Sequence, residues 1–147
     1  MLPNKLLDTY SRDLKTIELS KLIQTENEVS LGGLCGNLKV IIPLSISYLN
    51  ENNHCFICAD KKEAMLYYSN LCNYLNNEKV FFFPYSNRKP YDDELINNAN
   101  VIMRTETIQH LKENKNEKTY VVTYPEGLVE LYPCLLYTSD AADDCWR

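Results

Sequence analysis

The chain has 147 residues, of which 45% are hydrophobic and 24% charged, and its formal net charge is −5. This composition is typical of one folded domain and argues against intrinsic disorder. The acidic balance, without a long lysine–arginine run, excludes a general electrostatic surface for nucleic acid. No apolar stretch approaches the roughly 20 residues of a membrane-spanning helix, and the N-terminus does not resemble a secretory signal. The sequence therefore predicts a cytoplasmic protein without membrane contact.

Apolar residues at helical spacing predict one or two helices in an N-terminal segment, residues 1–26, ahead of an α/β domain at residues 27–132. The stretch "EVSLGGL" is expected to form a short strand that ends in a glycine turn. Residues 37–50 again have helical periodicity. Pro43 lies within them and is expected to kink this helix or delay its regular part, because proline lacks an N–H group.

Strands and helices alternate along the rest of the sequence. The apolar runs "HCFICA", "KVFFFP" and "TYVVTY" predict strands. The segments between them have helical periodicity, and the last of these helices is expected at about residues 99–113. Such alternation predicts an α/β fold with a parallel sheet and flanking helices.

Two short patterns indicate helix starts within this series. Asp60 followed by Glu63 is a capping-box pattern at the beginning of the helix after "HCFICA". Pro125 suits the first turn of a short helix after "TYVVTY", because a proline there loses no hydrogen bond.

Cys55 and Cys58 are the closest pair among the six cysteines, and His54 stands beside them. A zinc site requires about four ligands, and the sequence has no second pair to complete one. Residues three apart on a strand also point to opposite faces. We therefore predict reduced thiols in the core and no metal site.

The stretch "GGLCGNLKV" has the spacing of a phosphate-binding loop. Gly33 and Gly36 fit its turn, and Lys39 stands where the pattern G-x-x-x-x-G-K-S/T requires lysine. Glycines in such a loop let backbone amides surround an anion at a helix N-terminus.

Two substitutions remove the chemistry of this loop. Leu38 replaces the glycine before the lysine, and Val40 replaces the hydroxyl residue that would bind magnesium. The sequence therefore predicts a vestigial nucleotide-binding loop of Gly33, Gly36 and Lys39, with no catalytic residue, no metal ligand and no cofactor of its own.

The stretch "VFFFPYSNRKPY" alternates aromatic and basic residues, a pattern that can bind single-stranded nucleic acid by stacking. Its phenylalanines belong to a predicted strand, so only four residues are expected to be free for a partner: Tyr85, Arg88, Lys89 and Tyr91. So few cations favour no direct contact with nucleic acid. The following "YDDELI" is expected to be a solvated acidic loop rather than a magnesium site.

The last residues, 133–147, are predicted to be a non-native tail. From Cys134 to Asp144 the sequence resembles the translation of a transposase-type sequencing adaptor. We therefore exclude this segment from the interpretation of function.

Five stretches in order carry a family resemblance: "GLCGNLK", "CFICADKKEA", "VFFFPYSNRKPYD", "NANVIMRTETIQHL" and "VVTYPEGLVE". Over about residues 6–132 the chain resembles the N-terminal part of bacterial transcription-repair coupling factors, in the region similar to the excinuclease B subunit. The resemblance implies an incomplete helicase-like lobe, of the P-loop NTPase type, with a degenerate phosphate loop.

The resemblance also implies a function for the parent protein. Such factors displace RNA polymerase stalled at DNA lesions by ATP-dependent translocation on duplex DNA, and then recruit the excinuclease A subunit for nucleotide excision repair. ATP, magnesium and these partners belong to parts of the parent that lie downstream, so the lobe itself is expected to be a scaffold without enzymatic activity.

Two other interpretations are open. The first is an active excinuclease B-like helicase lobe, which requires the glycine, lysine and hydroxyl residues that this loop lacks. The second is an unrelated doubly wound domain that binds a small molecule at the carboxyl ends of its strands.

Overall fold

The computed structural model describes residues 3–75, 79–86, 98–114 and 117–130. The predicted tail at 133–147 and the stretch "YDDELI" lie outside these ranges. The described elements are, in order, α1 (Pro3–Ser11), α2 (Leu14–Thr25), α3 (Leu38–Tyr48), β1 (His54–Ile57), α4 (Lys61–Leu75), β2 (Val80–Phe83), α5 (Asn98–Glu113), β3 (Tyr120–Thr123) and α6 (Pro125–Val129). None of these helices is both long and apolar enough to cross a membrane.

The three described strands form one parallel sheet in the order β1-β3-β2. The first residues of the outer strands, His54 and Val80, both pair with Tyr120 at the start of β3. The prediction of an α/β fold with a parallel sheet and flanking helices is confirmed at this level.

Helices lie on both faces of the sheet, and each face is named here after a helix that packs on it. On the first face, called here the α4 face, the Phe56 ring lies 5.0 Å from that of Tyr67 in α4. On the opposite face, the α5 face, the Phe81 ring lies 4.5 Å from the ring of His110 in α5. Alternation of side chains along each strand accounts for this division.

The hydrophobic core lies on the α4 face, between the sheet and helices α1, α3 and α4. Leu44, Leu71 and Val122 are completely buried in it, and Leu7 of α1 belongs to the same cluster. Burial of each such side chain contributes about 1.5–3 kcal/mol. The N-terminal helices thus share the core of the sheet, and the division at residue 26 stays a prediction.

The predicted strand "EVSLGGL" is wrong: residues 28–34 belong to no strand. None of the three described strands pairs with this segment, and a strand is defined by such pairing. Leu31, within this segment, is 43% exposed.

The predicted helix starts are largely confirmed. The Asp60 carboxylate accepts a hydrogen bond from the Glu63 amide at 2.8 Å, as the capping pattern predicts, and Pro125 is the first residue of α6. Pro43 does not delay α3, because the helix begins at Leu38 and runs through the proline to Tyr48.

Candidate functional site: the loop that precedes α3

The glycines of the predicted phosphate loop are favoured by the backbone conformation of the loop and not by close contact with neighbouring atoms. Gly33 and Gly36 have φ angles of +78° and +55°, in the left-handed region that favours glycine. A Cβ atom added at either position would meet nothing within 4 Å among the described residues. The loop is therefore an open turn on the surface.

The amides at the start of α3 are already engaged. In a functional phosphate loop these N–H groups point at the anion. Here each donates to a carbonyl three residues earlier: Leu38 to Cys35 at 3.2 Å, Lys39 to Gly36 at 3.3 Å and Val40 to Asn37 at 3.0 Å. An anion would have to displace or share these bonds.

The Lys39 ammonium pairs with a carboxylate of the next helix. Its Nζ lies 3.5 Å from Glu63 Oε1, with the two side chains 58% and 40% exposed. The other Glu63 oxygen accepts the Ala59 amide at 3.0 Å, which fixes this carboxylate at the start of α4. Water screens an ion pair this exposed, so the contact is worth at most about 1 kcal/mol.

Pro43 explains a second contact between α3 and α4. Because proline has no N–H, the carbonyl of Lys39, four residues earlier, loses its helical partner. The Tyr67 hydroxyl of α4 donates to this carbonyl at 3.0 Å. Burial, with smaller contributions from Cys58 and Glu63, raises the pKa of Tyr67 well above its ordinary value, so the hydroxyl keeps its proton.

Val40 faces the protein interior rather than the loop. It is 3% exposed and belongs to the core cluster with Ile41 and Leu44. A hydroxyl residue at this position would point into the core, whereas a magnesium ligand has to point toward the phosphates. A hydroxyl in this orientation could not reach an ion bound at the loop, and the vestigial nucleotide-binding loop stays a prediction.

Cys55 of β1 and Cys58, which follows this strand, lie on opposite sides of the sheet. Cys55 is exposed on the α5 face, whereas Cys58 is buried in the core. Burial, together with the charges of Glu63 and Asp60, raises the pKa of Cys58 to about 11, so its thiol stays protonated at neutral pH. Within the described ranges there is no group of three metal-binding side chains.

His54 is partly buried, and one of its ring nitrogens is shielded from solvent. Its ring stacks on that of Tyr120 at 5.6 Å, and its Nε2 has no hydrogen-bond partner within the part of the chain that the structure describes. Burial first, and the charge of Lys118 second, lower the pKa of His54, so the neutral imidazole is favoured. No nucleophile is paired with this ring among the described residues.

The aromatic–basic stretch is described only in part. Arg88, Lys89 and Tyr91 lie outside the described residues. Tyr85, which was expected to be free for a partner, is half-buried and tied to the fold: its amide donates to the Tyr124 hydroxyl at 2.9 Å, and its carbonyl accepts from Asn100 at 2.8 Å.

Sequence reasoning missed a buried polar network at the ends of β2 and β3, which we call the Arg104 network (Arg104, Ser86, Gly127 and Glu130). Arg104 is 3% exposed. Its guanidinium donates to the carbonyls of Pro84 and Gly127, both at 2.8 Å, and lies 4.0 Å above the centre of the Phe83 ring.

Glu130 completes this network. Its carboxylate lies 3.4 Å from Arg104, accepts the Ser86 amide at 2.7 Å and also accepts the Ser86 hydroxyl. The signal in the sequence was an arginine between Val101 and Ile108, on the side of α5 that faces the sheet. Helical spacing identifies the buried side, but it cannot name the carbonyls that an arginine reaches.

The comparisons with known proteins gave no match: no protein-family model, no curated protein and no solved structure is significantly similar to this chain.

Proposed function

We propose that this chain is the N-terminal lobe of a bacterial transcription-repair coupling factor and that the lobe is a scaffold without catalytic activity. In the parent protein, a downstream motor translocates on duplex DNA with ATP and magnesium and displaces stalled RNA polymerase. The parent then recruits the excinuclease A subunit for nucleotide excision repair. The lobe is of the helicase-like P-loop type and provides the framework to which the remaining parts attach.

The state of Lys39 is the observation that carries this proposal. A lysine that binds phosphate needs a free ammonium beside unused amides. In this chain the Lys39 ammonium faces Glu63, and the amides at the start of α3 donate within their own loop. Lys39 occupies the lysine position of the pattern, but its ammonium makes a contact between α3 and α4. This supports the interpretation of a degenerate loop.

The order of the motifs provides the second support. The five stretches that resemble coupling factors occur in the order of that family. Three of them include strands of one parallel sheet. A parallel α/β sheet is common to many proteins, so it is compatible with the proposal without being specific to it.

Nucleotide titration tests the claim of a non-catalytic lobe. We expect isothermal calorimetry with magnesium-ATP to give no binding below millimolar concentration, and a phosphate-release assay to give no hydrolysis. Lys39→Ala and the surface control Lys62→Ala should behave like the parent chain. Micromolar affinity with turnover that Lys39→Ala abolishes would instead establish an active excinuclease B-like lobe.

A restored loop gives a sharper version of this test. The double variant Leu38→Gly and Val40→Thr recreates the glycine and hydroxyl of the pattern, and we expect higher ATP affinity but no hydrolysis, since a second motor lobe is absent. Because Val40 is buried, its hydroxyl costs about 1–3 kcal/mol, so the fold must be verified by circular dichroism. Turnover by this variant contradicts the proposal.

The natural DNA downstream of Pro133 tests the identity of the parent. We expect an open reading frame that continues into helicase motifs with an intact phosphate loop. A natural stop codon shortly after Pro133, or a continuation without such motifs, contradicts the assignment to a coupling factor.

A further inference from the structure

An apolar groove lies on the α5 face, next to the strand that α5 leaves uncovered. We call it the β1 groove, and it is lined by Cys55, Val121 and Thr123 of the sheet, Ile108 and Leu111 of α5, and Leu128 of α6. Its volume is about 300 Å³. The groove is thus bounded on two sides by helices and has a floor made by β1 and β3.

The surroundings of the groove are too apolar for a surface that faces water. Ile57, on the same side of β1 as Cys55, is 61% exposed, and Val129 at the end of α6 is 81% exposed. Helices cover both faces of nearly all parallel sheets. On the α5 face, α5 covers β2, whereas the described residues place no helix over β1 on this face.

The outer edge of β1 is also open. The amides of His54 and Cys58 donate to the carbonyls of Thr119 and Thr123, toward β3. In a parallel ladder the backbone groups of the intervening residues, Cys55 and Ile57, point to the other side. No described strand pairs with that side, so two amides and two carbonyls are available for a further strand.

The path of the chain indicates what fills the β1 groove and what pairs with the open edge of β1. β1 connects to β2 through α4 on one face, and β2 connects back to β3 through α5 on the other. The second connection runs across the sheet in the opposite direction to the first and lies on the opposite face, so the two crossovers have the same hand. Almost all such crossovers between parallel strands are right-handed. A third crossover of that hand, from β3 over the α5 face, passes over β1 and ends at its open edge.

We infer that the natural chain that follows Pro133 supplies an amphipathic helix that lies in the β1 groove, and after it a strand that pairs in parallel with the open edge of β1. The described chain reaches the groove at its end, because Leu128 of α6 is part of the lining. One continuation therefore covers the exposed apolar side chains and the unpaired backbone groups together.

The same inference accounts for the failed strand at residues 28–34. α3 packs on the α4 face, where the Ser47 hydroxyl lies 3.1 Å from that of Tyr120. A right-handed crossover through α3 into β1 starts on the outer side of β1. A strand added there by the later chain would give residues 28–34 the neighbour that they lack.

Hydrogen exchange on the natural full-length chain provides the test. We expect the amides of Cys55 and Ile57 to exchange as slowly as that of Phe56, which by alternation faces β3 and is the internal control. In the 147-residue chain the same two amides should exchange at least tenfold faster than Phe56. Fast exchange at Cys55 and Ile57 in the full-length chain overturns the inference, whether or not the short chain folds well.

Alkylation by iodoacetamide, followed for each cysteine by mass spectrometry, tests the groove separately from the edge. We expect Cys55 to react at least tenfold more slowly in the full-length chain, whereas Cys35 in the open loop reacts equally in both chains. Equal rates at Cys55 overturn the inference. Protection of Cys55 in the 147-residue chain that rises with concentration, together with a dimer in sedimentation, overturns it in favour of a second copy.

The inference shares with the proposed function only the requirement that the natural chain continues. A reading frame that ends within about a dozen residues of Glu130 leaves no room for a crossover and overturns the inference. A frame that continues without helicase motifs refutes the coupling-factor identity, but the protection of Cys55 and Ile57 would still be expected.

Discussion

The Arg104 network and the loop before α3 both hold a cation next to a carboxylate, but in opposite surroundings. The Arg104 and Glu130 side chains are 4% and 11% exposed, whereas those of Lys39 and Glu63 are 58% and 40% exposed. Arg104 also donates to the carbonyls of Pro84, Gly127 and Glu130. Burial makes each of these contacts costly to lose, whereas water can replace those of Lys39.

This difference shows that a recognisable motif and a structurally essential site are separate things. The loop matches a known pattern at Gly33 and Lys39, two of the four defined positions, yet its lysine makes a weak, exposed ion pair. The Arg104 network matches no motif, yet it ties β2, α5 and α6 together. Four substitutions test the contrast, from the largest expected effect to the smallest.

Arg104→Met should have the largest effect. It removes the cation beside Glu130, which keeps only its bonds from Ser86, and the donor of three backbone carbonyls. Breaking a buried ion pair from one side costs about 3–5 kcal/mol. Arg12→Met is the matched control, because Arg12 and Asp8 form an ion pair with side chains 78% and 56% exposed. Urea denaturation measures both. Similar free energies of unfolding for the two variants would contradict the contrast.

Gly127→Ala should destabilise the same network through backbone crowding. An added Cβ would lie 2.8 Å from the Phe83 carbonyl oxygen and 2.8 Å from the Thr123 hydroxyl. The required shift costs about 1–3 kcal/mol. Gly32→Ala is the control, since a Cβ there meets nothing within 4 Å. An equal melting temperature for both variants would show that α6 adjusts freely.

Tyr67→Phe should cost less, about 0.5–1.5 kcal/mol, because it removes the hydrogen bond to the Lys39 carbonyl beside Pro43. Tyr74→Phe on the same helix removes a hydroxyl for which the described residues offer no hydrogen bond. Thermal unfolding followed by circular dichroism compares the two variants. A loss at Tyr74 as large as that at Tyr67 would remove the special role of the Tyr67 hydroxyl.

Lys39→Ala should have the smallest effect, below about 1 kcal/mol, since its ion pair with Glu63 is exposed. The effect should shrink further in 1 M sodium chloride, where screening extends over only about 3 Å. Urea denaturation at low and high salt measures this dependence. A large loss that salt does not change would mean that the lysine is held far more tightly than its exposure indicates.

The sequence predicted those parts of the fold that local patterns determine. The apolar runs that became β1, β2 and β3 are short and bounded by turn residues, and the Asp60–Glu63 cap depends on neighbours in the chain. The strand at residues 28–34 was wrong because a strand exists only with a partner, and no local pattern states whether that partner is present.

The candidate site was predictable in its residues but not in its contacts. The chemistry of Leu38 and Val40 is the basis on which the sequence predicts a vestigial loop, and this stays a prediction. The pairing of Lys39 with Glu63 joins residues that are 24 positions apart on different helices, so only the packing of α3 on α4 determines it. The contacts of Arg104 could not be predicted for the same reason, because its hydrogen-bond acceptors are backbone carbonyls from two other segments.

Pro43 and Tyr67 form one unit whose two members should be energetically coupled. Pro43→Ala would restore an amide that can bond to the Lys39 carbonyl, and the phenol oxygen of Tyr67 would then be dispensable. In a double-mutant cycle, Tyr67→Phe should therefore cost less in the alanine background than in the proline background. Over evolutionary time the two positions are expected to change together.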